Sequence, residues 1–146
     1  MRNIHFIVLS ILLSITQISW NQKQSAHVKY FAGTLSQALE VAQTQNKPVF
    51  IKGYTDWCGY CKLLDRKTLA DEGVASYLNA HFINLRVNME RADGPEIANK
   101  YRIKGFPTML VLSPTGKELD RYTGFRDAAT LKPELEKAID TFKKRN

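Results

Sequence analysis

The sequence predicts an α/β domain in which a central mixed sheet of four to five strands carries helices on both faces. Apolar runs with the character of buried strands alternate along the chain with segments of helical periodicity, as in βα units. The last two strand-like runs are separated by Ser-Pro-Thr-Gly at 113–116, which is turn chemistry, so they should pair as an antiparallel hairpin. With 146 residues, 44% of them hydrophobic, the chain is long enough for one such domain and a short extra segment.

The extra segment lies at the amino end, over residues 1–26. Residues 1–3 (Met-Arg-Asn) form a short basic start and residues 4–18 are mostly apolar, which is the pattern of a secretory signal peptide. This apolar run is shorter than the roughly 20 residues that span a bilayer, so a membrane anchor is the alternative rather than the expectation. We therefore expect export of the chain, and a domain that occupies residues 27–146.

The first half of the domain should contain three helices and two buried strands. Thr34 and Gln37 match a capping box, and apolar residues then recur at helical spacing over 35–45. Asn-Lys-Pro at 46–48 stops this helix, and an apolar strand over 49–54 leads to the first cysteine. A helix over 59–68, a short helix around 74–78 and a second buried strand over 82–88 follow.

The second half should contain a short helix, the hairpin and a final helix. The short helix spans about 96–101, and the hairpin strands span 109–112 and 118–123. Asp127 can cap the final helix, which ends near residue 143. Pro133 lies inside its helical pattern, and proline lacks the N–H that a helix interior uses, so we expect a turn first and the regular helix only from Pro133 onward.

Only two cysteines occur in the chain, Cys58 and Cys61, spaced Cys-x-x-Cys between the first predicted strand and the next helix. The partial positive charge at a helix N-terminus favours the thiolate, so Cys58 should be the nucleophile. Cys61 lies one turn further on, close enough to attack back. The pair therefore predicts redox chemistry.

Other uses of the cysteine pair fit less well. A zinc site takes four ligands, and His5, His27 and His81 are not at ligand spacing, so no metal is expected. Covalent haem attachment needs a histidine after the second cysteine, where Lys62 stands. A purely structural disulfide that closes so short a loop would stabilise the fold little. We expect no cofactor beyond the Cys58–Cys61 dithiol.

The charge balance argues against nucleic acid as a partner. The chain has a net charge of +7, and loss of residues 1–26 would remove Arg2 and Lys23 and no acid, leaving +5. The basic residues are dispersed without long runs or interleaved aromatics, which indicates a solvated surface. Export would place the cysteines in an oxidising compartment that contains disulfide-handling proteins.

Three motifs together make the chain resemble the thioredoxin superfamily over residues 34–142. They are Trp-Cys-Gly-Tyr-Cys-Lys at 57–62, Gly-Phe-Pro-Thr at 105–108, and Gly124 after the hairpin. Shorter motifs at 47–49, 54–58 and 123–125 resemble the exported thioredoxin-like domains typified by the C-terminal domain of the membrane thiol reductase DsbD. The resemblance implies a thioredoxin fold and a thiol–disulfide oxidoreductase.

The resemblance also implies roles for the residues around the dithiol. Pro107 should follow a cis peptide bond and pack against the cysteines, so that the Phe106 backbone can pair with an extended substrate; a trans proline that starts a strand is the alternative. Trp57 would shield the site and contact substrate, or be partly buried core. Gly59 would let the partner backbone pass closely, and Tyr60, between the cysteines, would tune the potential.

Lys52 departs from the family pattern. Thioredoxins carry an aspartate six residues before the first cysteine, and this chain has Lys52 there. Strand periodicity places Lys52 on one face with Phe50 and Tyr54. We hypothesise that its charge favours the Cys58 thiolate and raises the reduction potential; the alternative is that its ammonium group reaches solvent and has no effect.

The leading functional expectation is an exported, monomeric, periplasmic enzyme that reduces protein disulfides and receives electrons from a membrane partner. Net oxidation of protein thiols is an alternative, which the Lys52 argument favours. The Gly-Tyr pair resembles that of the isomerase DsbC, but the chain has no room for a dimerisation domain. A binding module that holds a partner or passes a metal through its dithiol is the non-enzymatic alternative, and the ER lumen is the alternative compartment.

Overall fold

The computed structural model describes residues 27–145, so the predicted signal peptide lies outside the described residues. The strands are β1 (Val49–Tyr54), β2 (Ile83–Asn88), β3 (Thr108–Leu112) and β4 (Glu118–Thr123). The helices are α1 (Leu35–Gln45), α2 (Gly59–Lys67), α3 (Glu72–His81), α4 (Gly94–Lys100) and α5 (Ala128–Lys144). Within residues 27–145, no helix has the length and apolar character needed to cross a membrane.

The four strands form one mixed sheet in the order β2-β1-β3-β4. Strand β1 is parallel to β2 and antiparallel to β3, and β3 and β4 form the predicted hairpin. Gly116 closes the hairpin turn with a positive φ of 81°, and its N–H donates to the Ser113 carbonyl at 2.9 Å. An isolated bridge from Tyr30 to Asn84 adds one residue pair beyond β2. The predicted mixed sheet with four strands is confirmed.

The sheet separates two apolar cores, because successive side chains of a strand point to opposite faces. Phe50 of β1 lies in the core that contains Leu64 of α2 and the buried faces of α3 and α5. Ile51 of β1 lies in the other core, with the buried faces of α1 and α4. Helices on both faces of the sheet are therefore confirmed. Helix α2, which follows the first cysteine, is anchored on the α3–α5 face through Leu64.

The helix boundaries agree closely with the predicted ones except in α5. The capping box of Thr34 and Gln37 is present at the start of α1. The prediction that the final helix begins at Pro133 is wrong, because α5 runs without interruption from Ala128. Pro133 removes only the bond to the carbonyl of exposed Ala129, which water can satisfy, and its fixed φ suits a helix. The Asp127 cap, which accepts from the Thr130 N–H at 2.8 Å, supports the first turn.

Candidate active site

The two cysteines form a disulfide at the junction between the end of β1 and the start of α2. Cys58 is the N-cap residue of α2, and Cys61 lies in its first turn, with the two Cα atoms 5.3 Å apart. The Cys61 N–H points at Cys58 Sγ at 3.0 Å. A backbone donor and a helix N-terminus directed at one sulfur both favour its anionic form once the disulfide is reduced. The local backbone therefore favours Cys58 as the thiolate.

Exposed aromatic rings flank a disulfide that is itself nearly buried. Cys58 is 5% exposed and Cys61 only 2%, whereas Trp57 and Tyr60 are 68% and 66% exposed. A Cβ placed on Gly59 would meet no atom within 4 Å. Cys58 is thus the more exposed cysteine, and the exposed rings of Trp57 and Tyr60 belong to residues close to it in the chain and are free to contact another molecule. Two large exposed aromatics beside a reactive group are typical of a contact surface.

The second and third motifs meet the first one at this end of the sheet. The Phe106–Pro107 peptide bond is cis. The Phe106 ring packs edge-on against Trp57, with ring centroids 6.1 Å apart. The Pro107 carbonyl accepts a hydrogen bond from the Gly124 N–H at 2.8 Å. The three motifs meet here because β1 pairs antiparallel with β3, which places the end of β1 beside the start of β3.

Lys52 of β1 is buried on the face of the sheet that α2 covers, and its ammonium group pairs with an acid from α2. The side chain is 0% exposed, and its Nζ donates to Asp65 Oδ1 at 2.5 Å. Asp65 is one-third exposed and also lies 3.5 Å from Arg86 Nη2, while the Tyr54 ring lies 5.1 Å from Lys52 Nζ. Burial lowers the pKa of Lys52 because it disfavours the charged ammonium, and the hydrogen bond to Asp65 opposes this. The alternative in which Lys52 reaches solvent is wrong.

Asp65 was not identified from the sequence, although a signal for it exists. It lies four residues after Cys61 and seven after Cys58, so all three share one side of α2. That side faces the sheet, where Lys52 points. An acid at this spacing, read together with a lysine on the preceding strand, would have predicted the ion pair.

The sequence also gave no sign of the contacts that hold Trp57. Its Nε1–H donates to both carboxylate oxygens of Glu90, at 2.9 and 3.2 Å. The neighbouring Asp56 accepts from Asn88 Nδ2 at 3.1 Å and pairs with Arg91 at 2.6 Å. These partners lie more than thirty residues away, at the last residue of β2 or just after it, and the parallel pairing of β1 with β2 brings them close.

No group of three or more His, Cys, Asp or Glu side chains with the geometry of a metal site occurs in the described part of the chain. Cys58 and Cys61 bond to each other instead. A disulfide between Cys58 and Cys61 can exchange two electrons through one sulfur–sulfur bond.

Comparison with known proteins places this site in a family. Residues 35–139 match the model of the thioredoxin-like domain. The thiol:disulfide interchange protein DsbD of Yersinia pestis is 34% identical over 99 residues, which cover 66% of this chain and 17% of that protein. The chain thus spans about a fifth of the length of such relatives.

Solved structures agree with the sequence comparison. A thioredoxin from Thermus thermophilus superposes with a TM-score of 0.67 at 30% identity, covering 77% of this chain and 86% of that one. The oxidised C-terminal domain of Neisseria meningitidis DsbD superposes with a TM-score of 0.62 at 25% identity, covering 75% and 99%. Both the predicted thioredoxin fold and the resemblance to the DsbD C-terminal domain are confirmed. Because the family model covers most of the chain, including both cysteines, this protein belongs to the thioredoxin-like domain family and is a thiol–disulfide oxidoreductase.

Proposed function

We propose that this oxidoreductase is exported and reduces disulfide bonds in other proteins, with Cys58 as nucleophile and Cys61 as resolving thiol. The observation that carries the assignment is the asymmetry of the pair. Cys58 is the N-cap of α2, its Sγ accepts the Cys61 N–H, and it is the more exposed cysteine, whereas Cys61 is more deeply buried in the first turn. An incoming disulfide can reach Cys58 first.

The reaction then follows from thiol–disulfide exchange. The Cys58 thiolate attacks one substrate sulfur, a Cys58–substrate bond forms, and the other substrate sulfur leaves as a thiolate that takes a proton from water. Cys61 loses its proton and attacks Cys58 Sγ, which releases the second substrate thiolate and forms the Cys58–Cys61 disulfide. Two electrons pass to the substrate. A donor dithiol restores the reduced pair by the same steps.

Substrate contact is assigned to the surface around Cys58. Trp57 and Tyr60 present exposed rings, and open space above Gly59 lets a polypeptide approach the sulfur. Phe106 lies beside Trp57, just before the first paired residue of β3, so its N–H and C=O can bond an extended segment by strand addition. Pro107 holds this loop in place through its carbonyl bond to Gly124.

The direction of electron flow and the compartment rest on the relatives. Those relatives are named thiol:disulfide interchange proteins, and this chain matches only about a fifth of their length. We infer that a membrane protein supplies the electrons that the rest of DsbD would handle, and that the chain works in the periplasm as a monomer. Protein thiols and disulfides are its partners.

Lys52 is proposed to tune the site by favouring the Cys58 thiolate. Its ammonium group is buried on the face of β1 toward α2, the helix that carries both cysteines. Asp65 neutralises much of that charge at hydrogen-bond distance, so the influence on the thiolate is smaller than that of an unpaired lysine. This charge stabilises the reduced form and favours net oxidation of substrates, the second candidate function.

Reduction of insulin disulfides by the purified chain tests the assignment. We expect the wild-type chain to reduce insulin when supplied with a dithiol donor, Cys58→Ser to be inactive, and Cys61→Ser to accumulate a mixed disulfide with its substrate. Activity in Cys58→Ser would contradict the assigned nucleophile. Rapid alkylation in cells then tests direction: Cys58 and Cys61 held mostly reduced supports the reductase, and mostly oxidised supports the oxidase.

A further inference from the structure

Trp57 is held in one orientation although solvent surrounds most of its ring. Two contacts fix it: the indole N–H is bound by both oxygens of Glu90, and the ring edge meets Phe106. Burial cannot supply this order, since the side chain is 68% exposed. An exposed tryptophan without such contacts would occupy several rotamers.

Glu90 is itself positioned by the segment it lies in. Its N–H donates to Asn88 Oδ1 at 3.0 Å, and Asn88 Nδ2 donates to Asp56 Oδ1 at 3.1 Å. Asp56 and Trp57 are neighbours in the chain, so the contacts form a closed ring from Trp57 through Glu90, Asn88 and Asp56. The Met89 N–H also donates to the Tyr54 carbonyl at 2.9 Å. The turn after β2 is thereby tied to the loop that precedes Cys58.

We propose that Glu90 is a positioning residue, which with Asn88 and Asp56 holds Trp57 as a preformed platform on which a polypeptide substrate packs before disulfide exchange. The inference rests on the proposed function and deepens it, because it says which substrates bind more tightly through Trp57. These are extended polypeptide segments rather than small disulfides. A platform ordered in advance spares the substrate the entropic cost of ordering the ring on binding. Glu90 acts through the Trp57 ring and takes no part in the exchange between the sulfur atoms.

The effect of Glu90 should depend on the size of the substrate. A polypeptide disulfide that rests on Trp57 loses binding when the ring becomes mobile, whereas a small aliphatic disulfide needs only Cys58. Losing one ordered side chain and one charge-assisted hydrogen bond corresponds to about a 3- to 10-fold change in binding. That loss should appear in KM for insulin and leave kcat and the reduction potential unchanged.

The experiment compares Glu90→Ala and Glu90→Gln in the full chain carrying Trp20→Phe, in which Trp57 is the only tryptophan. Glu40→Ala, which removes an exposed carboxylate from α1, is the matched control. Insulin and hydroxyethyl disulfide are the two substrates, and time-resolved anisotropy reports the motion of the Trp57 ring. The reduction potential is measured against a glutathione buffer.

In Glu90→Ala we expect faster Trp57 motion, an insulin KM raised about 3- to 10-fold, and unchanged kinetics with hydroxyethyl disulfide. Glu90→Gln keeps an acceptor for the indole N–H, so it should recover most of the loss, and Glu40→Ala should match the parent. An unchanged insulin KM, an equal loss on both substrates, or a shifted potential in Glu90→Ala would overturn the inference. A parent chain that reduces neither substrate would contradict the proposed function instead, and unchanged Trp57 anisotropy would then still overturn the role of Glu90.

Discussion

Among single residues, Lys52 and Asp65 form an ion pair whose two members differ in burial and in their other partners. Lys52 has no exposed surface, whereas Asp65 is one-third exposed and has Arg86 as a second cationic neighbour. Removing one partner is therefore not equivalent to removing the other. Without Lys52, Asp65 keeps water and Arg86; without Asp65, a buried ammonium group has lost its only ion-pair partner among the described residues.

We predict opposite consequences for stability from the two single substitutions. Lys52→Met puts an apolar chain of similar length into a buried site and should leave the free energy of unfolding within about 1 kcal/mol of wild type, or raise it. Asp65→Ala strands a buried charge and should lower it by about 3 kcal/mol. Urea denaturation at pH 7 measures both. Equal losses in the two variants would show that attraction within the ion pair, rather than the desolvation of Lys52, dominates its contribution to the free energy of unfolding.

The pH dependence of stability should report the same lysine. The pKa of Lys52 is lowered in the folded chain, chiefly by burial, so the unfolded chain binds its proton more tightly. The contribution of Lys52 to the free energy of unfolding therefore increases as pH rises from 7 toward 10.5. We expect wild type to gain stability relative to Lys52→Met between pH 7 and pH 10 in paired urea titrations. A constant difference across that range would argue against a lowered pKa.

The same substitution tests the electrostatic role of Lys52 at the thiols. Loss of a positive charge should raise the pKa of Cys58 and make the reduction potential more negative, because the reduced form loses stabilisation. Asp65 already offsets the charge, so we expect less than about one pKa unit and less than about 30 mV. Thiolate absorbance and a glutathione titration measure the two. Lys143→Met, at the exposed end of α5 near Pro48, is the control, and equal values in wild type and Lys52→Met would remove Lys52 from the mechanism.

At the scale of elements, the segments that could be predicted are those whose signals are local. The capping box of α1, the Asp127 cap of α5 and the turn at 113–116 each lie within a few residues of the boundary they set. The start of α5 was mispredicted because Pro133 is a strong local signal that tertiary packing of Leu131 and Leu135 overrides. Contacts that form only because β1 pairs with β2, such as that of Trp57 with Glu90, join residues far apart in the chain. No local sequence pattern predicts them.

Two glycines at helix starts should respond in opposite ways to the same change. A Cβ on Gly59 of α2 meets nothing, whereas a Cβ on Gly94 of α4 would lie 1.9 Å from the Asn88 carbonyl oxygen. We expect Gly94→Ala to lose about 2–3 kcal/mol of stability, since backbone must move. Gly59→Ala should be as stable as wild type or better by about 0.5 kcal/mol, yet reduce insulin more slowly, because its methyl group faces the approaching substrate. Thermal denaturation and insulin assays separate the two, and equal stabilities would contradict the close approach at Gly94.

At the scale of the whole molecule, the segment before α1 is part of the folded domain. Val28 is buried in the core shared with α3 and α5, and the Lys29 N–H donates to Asn79 Oδ1 at 2.8 Å. The Phe31 N–H donates to the Asn84 carbonyl at 2.7 Å, beside the bridge of Tyr30 with Asn84. The superfamily resemblance, which begins at residue 34, excludes this stretch, so its role could not be predicted from the motifs.

Two truncations should therefore separate the predicted signal peptide from this segment. A chain that begins at residue 27 keeps Val28 and the bonds to Asn79 and Asn84, and we expect it to fold with the full stability of the domain. A chain that begins at residue 34 exposes the apolar surface that Val28 and Tyr30 cover and breaks the backbone bonds, at a cost of about 2–4 kcal/mol. The Cys58–Cys61 site lies on other elements, so the shorter chain should retain its reduction potential while its urea midpoint falls. Equal midpoints in the two chains would show that residues 27–33 only lie against the domain. A lower potential in the shorter chain would show that the segment influences the thiols. The route would be Asp65 and Arg86, which line a surface pocket together with Val28 and Tyr30, and the Lys52 ammonium group that pairs with Asp65.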